Sequence, residues 1–271
     1  MSIDILLSTY NGELFLSDQI NSILQQTCTF WNLLIRDDGS KDQTRKIISK
    51  YIELYPGKIT EILDQNGNVG SPLSFSLLLE QSKSRYIMFC DQDDVWLENK
   101  VEATYEEMLK LEMKTADLPL MVFTDLHVVN ERLELLYDSF MVKQKLFPDG
   151  VNHEYKIFAL NVVAGCTIMI NDVAKKFILP FPKFMVHDHW IAMNIAHYGV
   201  CKYLDQKTIL YRQHGDNVYG AFEINYKYFF SKIVRIYKYL KILFMLKKRL
   251  AFDISLSKIF YYKFLISVKR L

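Results

Sequence analysis

The chain has 271 residues, of which 50% are hydrophobic, 24% charged and 14% aromatic, and its formal net charge is +2. This composition excludes a disordered or collagen-like chain and allows one large core that needs no disulfide or metal staple. The charge is uneven: residues 221–271 hold twelve Lys/Arg against two acids, Glu223 and Asp253, which leaves the rest acidic. The expected division is therefore a domain over 1–220 and a basic, aromatic helical tail over 221–271.

The N-terminal "MSIDILLSTYNG" has no basic region ahead of its apolar run, so it does not read as a signal peptide. Ile3–Ser8 predicts a buried strand broken by Asp4, and "YNG" a turn. Leu16, Ile20, Ile23 and Leu24 recur at helical spacing within Leu14–Gln26. "NLLIRDDGS" (Asn32–Ser40) predicts a second strand ending in acids and a glycine turn. Asp42 is placed to cap a helix over Thr44–Tyr55, which Pro56-Gly57 stops. Ile59–Asp64 reads as a third strand, "NGNVG" as a loop, and Pro72 suits the first turn of a helix over Leu73–Ser82. Tyr86–Cys90 is a fourth strand.

Further on, Asn99–Leu111 predicts a helix with Lys100, Glu107 and Lys110 on its polar side. Leu120–Asp125 and Val162–Ile170 read as strands, with a long irregular region over Asp138–Tyr155 suited to acceptor specificity. Asp188–His197 reads as a short helix, followed by strands at Lys202–Leu204 and Thr208–Arg212. The longest uncharged run, 157–171, contains Asn and Gly and is too short to span a membrane. Cys28, Cys90, Cys166 and Cys201 form no C-x-x-C pair, which fits small buried residues in a reducing cytosol.

Strand–helix alternation at this spacing predicts an α/β fold, a mostly parallel sheet with helices on both faces. Such sheets bind ligands at the carboxyl ends of their strands. Three predicted strands end in polar clusters, Ser8-Thr9-Tyr10-Asn11, Asp37-Asp38-Gly39-Ser40 and Asp91-Gln92-Asp93-Asp94, which a parallel sheet would bring to one edge. Like charges as close as Asp91, Asp93 and Asp94 repel and call for a cationic partner. A D-x-D at a strand end offers hard oxygen ligands suited to Mg²⁺ or Mn²⁺ carrying substrate phosphates. Neither a P-loop nor a G-x-G-x-x-G is present, so a nucleotide would be held in another way.

"ILLSTYNG", "LLIRDDGSKDQT", "NGNVG" and "MFCDQDDVW", in this order, resemble glycosyltransferase family 2 on a GT-A (Rossmann-like) fold. "VAGCTIMI", "VHDHW" and "LYRQHGDN" continue the likeness, and "DQDDVW" with a later "HDHW" is similar to bacterial rhamnosyltransferases. The resemblance implies a metal-dependent inverting transfer from a UDP- or dTDP-sugar, rhamnose or a hexose, to a glycan acceptor, lipid- or protein-linked. It implies that Thr9, Tyr10 and Asn11 flank the nucleotide, Asp38 binds the base, and Asn68 and Gly70 lie against it. Asp91 would contact the ribose, Gln92 would belong to the nucleotide-sugar site, Asp94 would lie near the sugar, and Gly165 would lie beneath the donor sugar. Asp93 and His214 would hold Mn²⁺ or Mg²⁺, and Arg212 would meet phosphate charge or serve a structural ion pair.

Inverting transfer needs a carboxylate to accept the acceptor hydroxyl's proton. The family pattern places that base at Asp188, whose other reading is a helix N-cap. His187 and His189 would orient it. Trp190, His189 and Asp125 are candidates for the acceptor, against core packing for Trp190 and a turn role for Asp125. The tail, basic and aromatic, suits an anionic membrane surface, or packing on the domain or on another subunit. No nucleic-acid motif accompanies its charge. The location expected is cytoplasmic, peripheral on the inner face of the plasma membrane. A nucleotidyltransferase and a non-catalytic scaffold are the competing classes; the first would need a Gly- and basic-rich phosphate loop, which "STYNGELF" lacks.

Overall fold

The computed structural model describes residues 2–115, 117–215 and 236–270; residues 221–235 of the expected tail lie outside them. Strand β1 (Ile3–Thr9) pairs in parallel with β2 (Trp31–Asp37) and β4 (Tyr86–Cys90), and β3 (Ile59–Glu61) adds in parallel to β2. Ile3 aligns with both Trp31 and Tyr86, so the three strands end together and Thr9, Asp37 and Asp91 share one edge. Helices α1 (Leu16–Leu24), α2 (Thr44–Leu54) and α3 (Ser71–Gln81) form the crossovers.

The other half of the sheet is mixed. The strand order is β3-β2-β1-β4-β8-β6-β9-β5, with β7 (Leu135–Tyr137) on β6. β8 (Met169–Asn171) is antiparallel to β4 and to β6 (Leu120–Val129). β9 (Val200–Arg212) runs parallel to β6, and β5 (Val95–Trp96) pairs antiparallel with β9. Helix α4 (Lys100–Glu112) follows β5.

Three predicted elements are corrected. The two strands expected at 202–204 and 208–212 are one strand, β9, with a register shift where Thr124 pairs Leu204 and Asp125 pairs Lys207. The polar Asp205-Gln206 pair that reads as a break is the extra chain at this bulge. Val162–Ile170 is mostly not strand: a 3₁₀ turn at Gly165–Thr167 precedes the short β8. The irregular region contains two short helices, α5 (Phe140–Lys143) and α6 (Glu154–Ala159). The remaining helices are α7 (Lys175–Ile178), α8 (His187–Tyr198), α9 (Ile236–Arg249) and α10 (Leu256–Lys269).

Alternation along the strands builds two cores. Ile5, Leu7, Met88 and Cys90 meet α1, α2 and α4 through Ile20, Ile48 and Val101. Leu6, Ile87 and Phe89 point the other way, onto Phe75 and Leu78 of α3 and Trp190 and Ile191 of α8. Leu243, Leu246 and Ile259 of the last two helices, with Leu250 between them, join this second core. Asp4, the one acid in β1, is buried and accepts bonds from the Ser82 and Ser84 hydroxyls, both at 2.7 Å, and from two backbone N–H groups. All four cysteines are free and buried.

Candidate active site

The acidic loop after β4 is tied to the loop after β1 by Gln92. Its Oε1 accepts the Thr9 hydroxyl (2.6 Å) and the Tyr10 N–H (2.8 Å), and its Nε2 donates to the Tyr10 carbonyl (3.1 Å). Thr9 and Gln92, expected to face a nucleotide, thus spend their polar groups on each other, and Thr9 is buried. Tyr10 stands at the rim, 42% exposed. Asn11 links the first two loops: its N–H donates to Ser40 Oγ and its Oδ1 accepts the Lys41 N–H.

Beneath the second edge lies a buried guanidinium. Arg36 pairs with Asp38 (2.5 Å) and Asp64 (2.6 Å) and donates to Ser74 Oγ and the Gly67 carbonyl. Asp38 also accepts the N–H groups of Val69 (2.9 Å) and Gly70 (2.8 Å). Its carboxylate therefore anchors the loop over Asn66–Gly70, and the direct base contact expected of it would have to displace these bonds. Asn68 is exposed in that loop, and Gly70 has φ +83° at its exit into α3.

The three acids separate. Asp93 Oδ2 lies 2.9 Å from His214 Nε2, and both side chains keep some exposure. Asp94 is fully buried; its Oδ1 accepts the Arg212 N–H (3.2 Å), and its Oδ2 has no hydrogen-bond partner among the described residues. Asp91 and Asp94 approach Cys166, their ligand atoms all within 4.8 Å of one another. Burial, then the charges of Asp93 and Asp188, pushes Asp91 up to about 7. Burial, then Asp93 and Asp91, pushes Asp94 well above the carboxylate range.

Two cations answer these charges from behind. Lys100, expected on a polar helix face, is fully buried with its Nζ 4.7 Å from the centre of the Trp96 ring. Burial lowers it to about 8, against the opposing pull of Cys166, Cys90 and Asp94. Arg212, expected at phosphate charge or in a structural ion pair, makes such a pair within the fold. It donates to the carbonyls of Asp93 (3.0 Å) and Glu131 (2.7 Å), pairs with Asp18 (2.9 Å) and lies over Phe15, so it clamps the acidic loop's backbone.

For a divalent ion, the donor chemistry favours Asp93 with His214 over Asp91, Asp94 and Cys166. Burial holds the Cys166 thiol protonated, well above its ordinary range, and Lys100 supplies positive charge on that side. Asp93 and His214 are a hard oxygen and an imidazole nitrogen side by side at a partly open position.

Asp188 sits inside the first turn of α8, where Val186 is the N-cap, so it is not a cap itself. It accepts the His189 N–H. Burial pushes it up to about 7, opposed by hydrogen bonds from the His189 N–H, the Asn161 side chain and the Gly165 N–H. Its charge also raises Asp91. Gly165 is small for a reason close at hand: a Cβ there would lie 2.5 Å from His187 Nε2. The His187 ring is held among Phe75 (4.3 Å), Phe89 (5.6 Å) and Phe181 (6.4 Å). Gly165→Ala is expected to destabilise the fold by about 1–3 kcal/mol. Adding His187→Ser should recover most of that loss in a denaturant titration; additive losses would show that His187 is not the obstacle.

A model of the family described as "Glycosyl transferase family 2" matches residues 4–176. The chain belongs to glycosyl transferase family 2. Over 241 residues it is 27% identical to the dTDP-rhamnosyl transferase RfbG of Shigella flexneri, covering 82% of this chain and 77% of that one. It is also 27% identical to the UDP-Glc:alpha-D-GlcNAc-diphosphoundecaprenol beta-1,3-glucosyltransferase WfgD of Escherichia coli, covering 71% and 69%. Among solved structures, the mannosyltransferase PcManGT of Pyrobaculum calidifontis, in complex with GDP-Man and Mn²⁺, aligns with a TM-score of 0.60 at 12% identity, over 99% of this chain and 70% of that one. TarS residues 1–349 of S. aureus align with a TM-score of 0.56 at 17% identity, over 78% of this chain and 60% of that one. These structural likenesses carry the GT-A type fold, and the family carries the activity class: the chain is a glycosyltransferase.

In this family 2 enzyme, two expected acceptor contacts are corrected. Trp190 is buried, its Nε1 donating to the Ile178 carbonyl (2.6 Å), so it packs the core. Asp125 is buried too, accepting the Ser139 hydroxyl (2.5 Å) and the N–H groups of Met141 and Leu126, and it fixes the start of α5. His189 Nε2 meets the Ile157 carbonyl (2.7 Å), tying α8 to α6. The residues that sequence reasoning missed are Lys100, Arg36 and Asn161. Asn161 had a signal: it is a polar residue in an otherwise apolar run.

Proposed function

We propose that the enzyme is a metal-dependent inverting transferase that moves a sugar from a UDP- or dTDP-sugar to a hydroxyl of a glycan acceptor in bacterial surface polysaccharide, glycolipid or glycoprotein assembly. The observation that carries this reading is the Asp93–His214 pair, 2.9 Å apart on the loop after β4, which Gln92 ties to the loop after β1. Asp188 takes the acceptor hydroxyl's proton as that oxygen bonds to the anomeric carbon, and the bond from that carbon to the diphosphate oxygen breaks. Attack opposite the leaving group inverts the centre. Asp93 and His214 would hold Mn²⁺ or Mg²⁺, which supplies positive charge to the departing diphosphate.

Tyr10, Asn11, Asn68 and Gly70 line the edge where the nucleotide would lie, with Asp94 as the buried support of the loop. The printed activities of RfbG and WfgD favour dTDP-rhamnose first and UDP-hexoses next, and WfgD's favours a lipid-linked acceptor. Residues 1–220 would form the catalytic domain and 221–271 an appended tail. No helix among the described residues is long and apolar enough to cross a membrane. A cytoplasmic enzyme resting on the inner face of the plasma membrane accords with such an acceptor.

Donor hydrolysis with dTDP-rhamnose, UDP-glucose and UDP-N-acetylglucosamine, with and without Mn²⁺, tests the proposal. One donor should turn over in the presence of the metal and lose that turnover with chelator. No turnover of any donor, together with no metal-dependent nucleotide binding, would overturn it.

A further inference from the structure

The last two helices have two apolar sides, and the core uses only one. Leu243, Leu246, Leu250, Ile254 and Ile259 are buried, while Phe244 is 58% exposed, Tyr261 59%, Phe264 67% and Val268 53%. Leu240 and Phe244 stand one turn apart on α9, and Phe260, Tyr261, Phe264, Leu265 and Val268 follow one stripe of α10. The two helices touch through Tyr239, which packs on the core, and Phe260, their rings 6.0 Å apart. Lys241, Lys247 and Lys248 of α9 are exposed, whereas the Lys258 and Lys269 ammonium groups of α10 lie over the Tyr155 and Phe147 rings of the domain. The Lys248 ammonium lies 4.5 Å from the Phe244 ring centre. Residues 236–270 contain nine Lys/Arg and one acid, Asp253.

We propose that this outward face of α9 and α10 seats the enzyme on an anionic phospholipid bilayer. Charge decides the occupant. A second copy meeting the face across a two-fold axis would set lysine against lysine, whereas anionic headgroups oppose it with the other sign. The exposed rings supply the apolar side that a helix lying in the interface needs. Each helix has 14 residues, about 21 Å of rise against a hydrocarbon core of about 30 Å, so it lies on the bilayer and does not cross it.

The inner side of the same hairpin reaches the reaction centre. Lys263 donates to the Ala159 carbonyl (3.1 Å), and Tyr262 packs on His153 and Tyr155, so α10 holds α6. Helix α6 in turn accepts His189, the neighbour of Asp188. A bilayer seat on α10 therefore fixes the acceptor side of the site relative to the lipid surface. This surface stands independently of the transfer chemistry, and either reading survives the failure of the other.

Co-sedimentation of the full chain with vesicles tests it. Binding is expected to vesicles of equal parts phosphatidylglycerol and phosphatidylcholine, to fall at least about tenfold on pure phosphatidylcholine, and to weaken as salt rises. The double variant Phe264→Glu, Val268→Glu, both positions exposed, should lose at least about tenfold of the binding while keeping its melting temperature and donor hydrolysis. A folded chain that ignores anionic vesicles would overturn the proposal. So would a dimer that the same double variant dissolves, which would assign the face to a second copy, or binding to duplex DNA that matches the vesicle binding and depends on the lysines but not on the rings.

Discussion

Asp188→Asn should lower kcat by roughly 10²–10⁴-fold while leaving the affinity for the nucleotide diphosphate and Mn²⁺ nearly unchanged. The asparagine keeps the size and the hydrogen-bonding reach of the carboxylate inside the first turn of α8 but cannot accept the acceptor's proton. The pH profile carries a second signature. Burial pushes Asp188 up to about 7 in the free protein. The base acts only when ionised, so kcat/KM should fall about tenfold for each pH unit below that value and level off above it. The residual activity of Asp188→Asn should lack this limb. Steady-state kinetics across pH and a nucleotide titration read both effects. Normal transfer by Asp188→Asn would move the base elsewhere. Asp93→Ala is the contrast, since it should weaken Mn²⁺-dependent nucleotide binding itself.

The largest stability effect is expected at Arg36, which sequence reading left unremarked within "LLIRDDGS". Arg36→Met removes the guanidinium that pairs Asp38 and Asp64 and bonds Ser74 and the Gly67 carbonyl. Asp38, itself buried, is left with only the backbone N–H groups of Val69 and Gly70. Breaking a buried pair from one side costs about 3–5 kcal/mol because the remaining charge is uncompensated. For a chain of this size that is a fall in Tm on the order of 10 °C. Arg36→Lys should recover little, since a single ammonium cannot serve partners spread around a planar fork. Replacing Asp38 by Asn in the Arg36→Met background should recover part of the loss. Thermal and urea unfolding measure each step, and a wild-type Tm in Arg36→Met would remove Arg36 from the fold's supports.

The contrast between Asp93 and Arg36 marks where sequence was informative. Alternation, turn residues and the D-x-D fixed the four parallel strands, and Tyr86–Cys90 is the strand expected to the residue. Parallel register then brought the three polar clusters to one edge, as their positions at strand ends required. Elements carrying short apolar runs were less legible. Val162–Ala164 is apolar because it packs in a core without a ladder, and β9 reads as two strands because its bulge is polar. Partner choice was least legible. Arg212, Asp125 and Thr9 have side chains apt for ligands, yet their polar atoms are satisfied within the fold by residues that three-dimensional packing alone brings near. Lys100 made the opposite error available: a lysine in a helix reads as solvated until the fold is seen to bury it against the Trp96 ring.

The clamp that Arg212 places on the acidic loop also sets an order of assembly. Arg212 reaches back 119 residues to the Asp93 carbonyl, and His214 reaches back 121 to the Asp93 carboxylate. On a ribosome, β1 to β4 emerge with their acids long before β9 is made. Strands β1, β2 and β4 can pair early, but the acidic loop after β4 is pinned only when β9 is laid along β6.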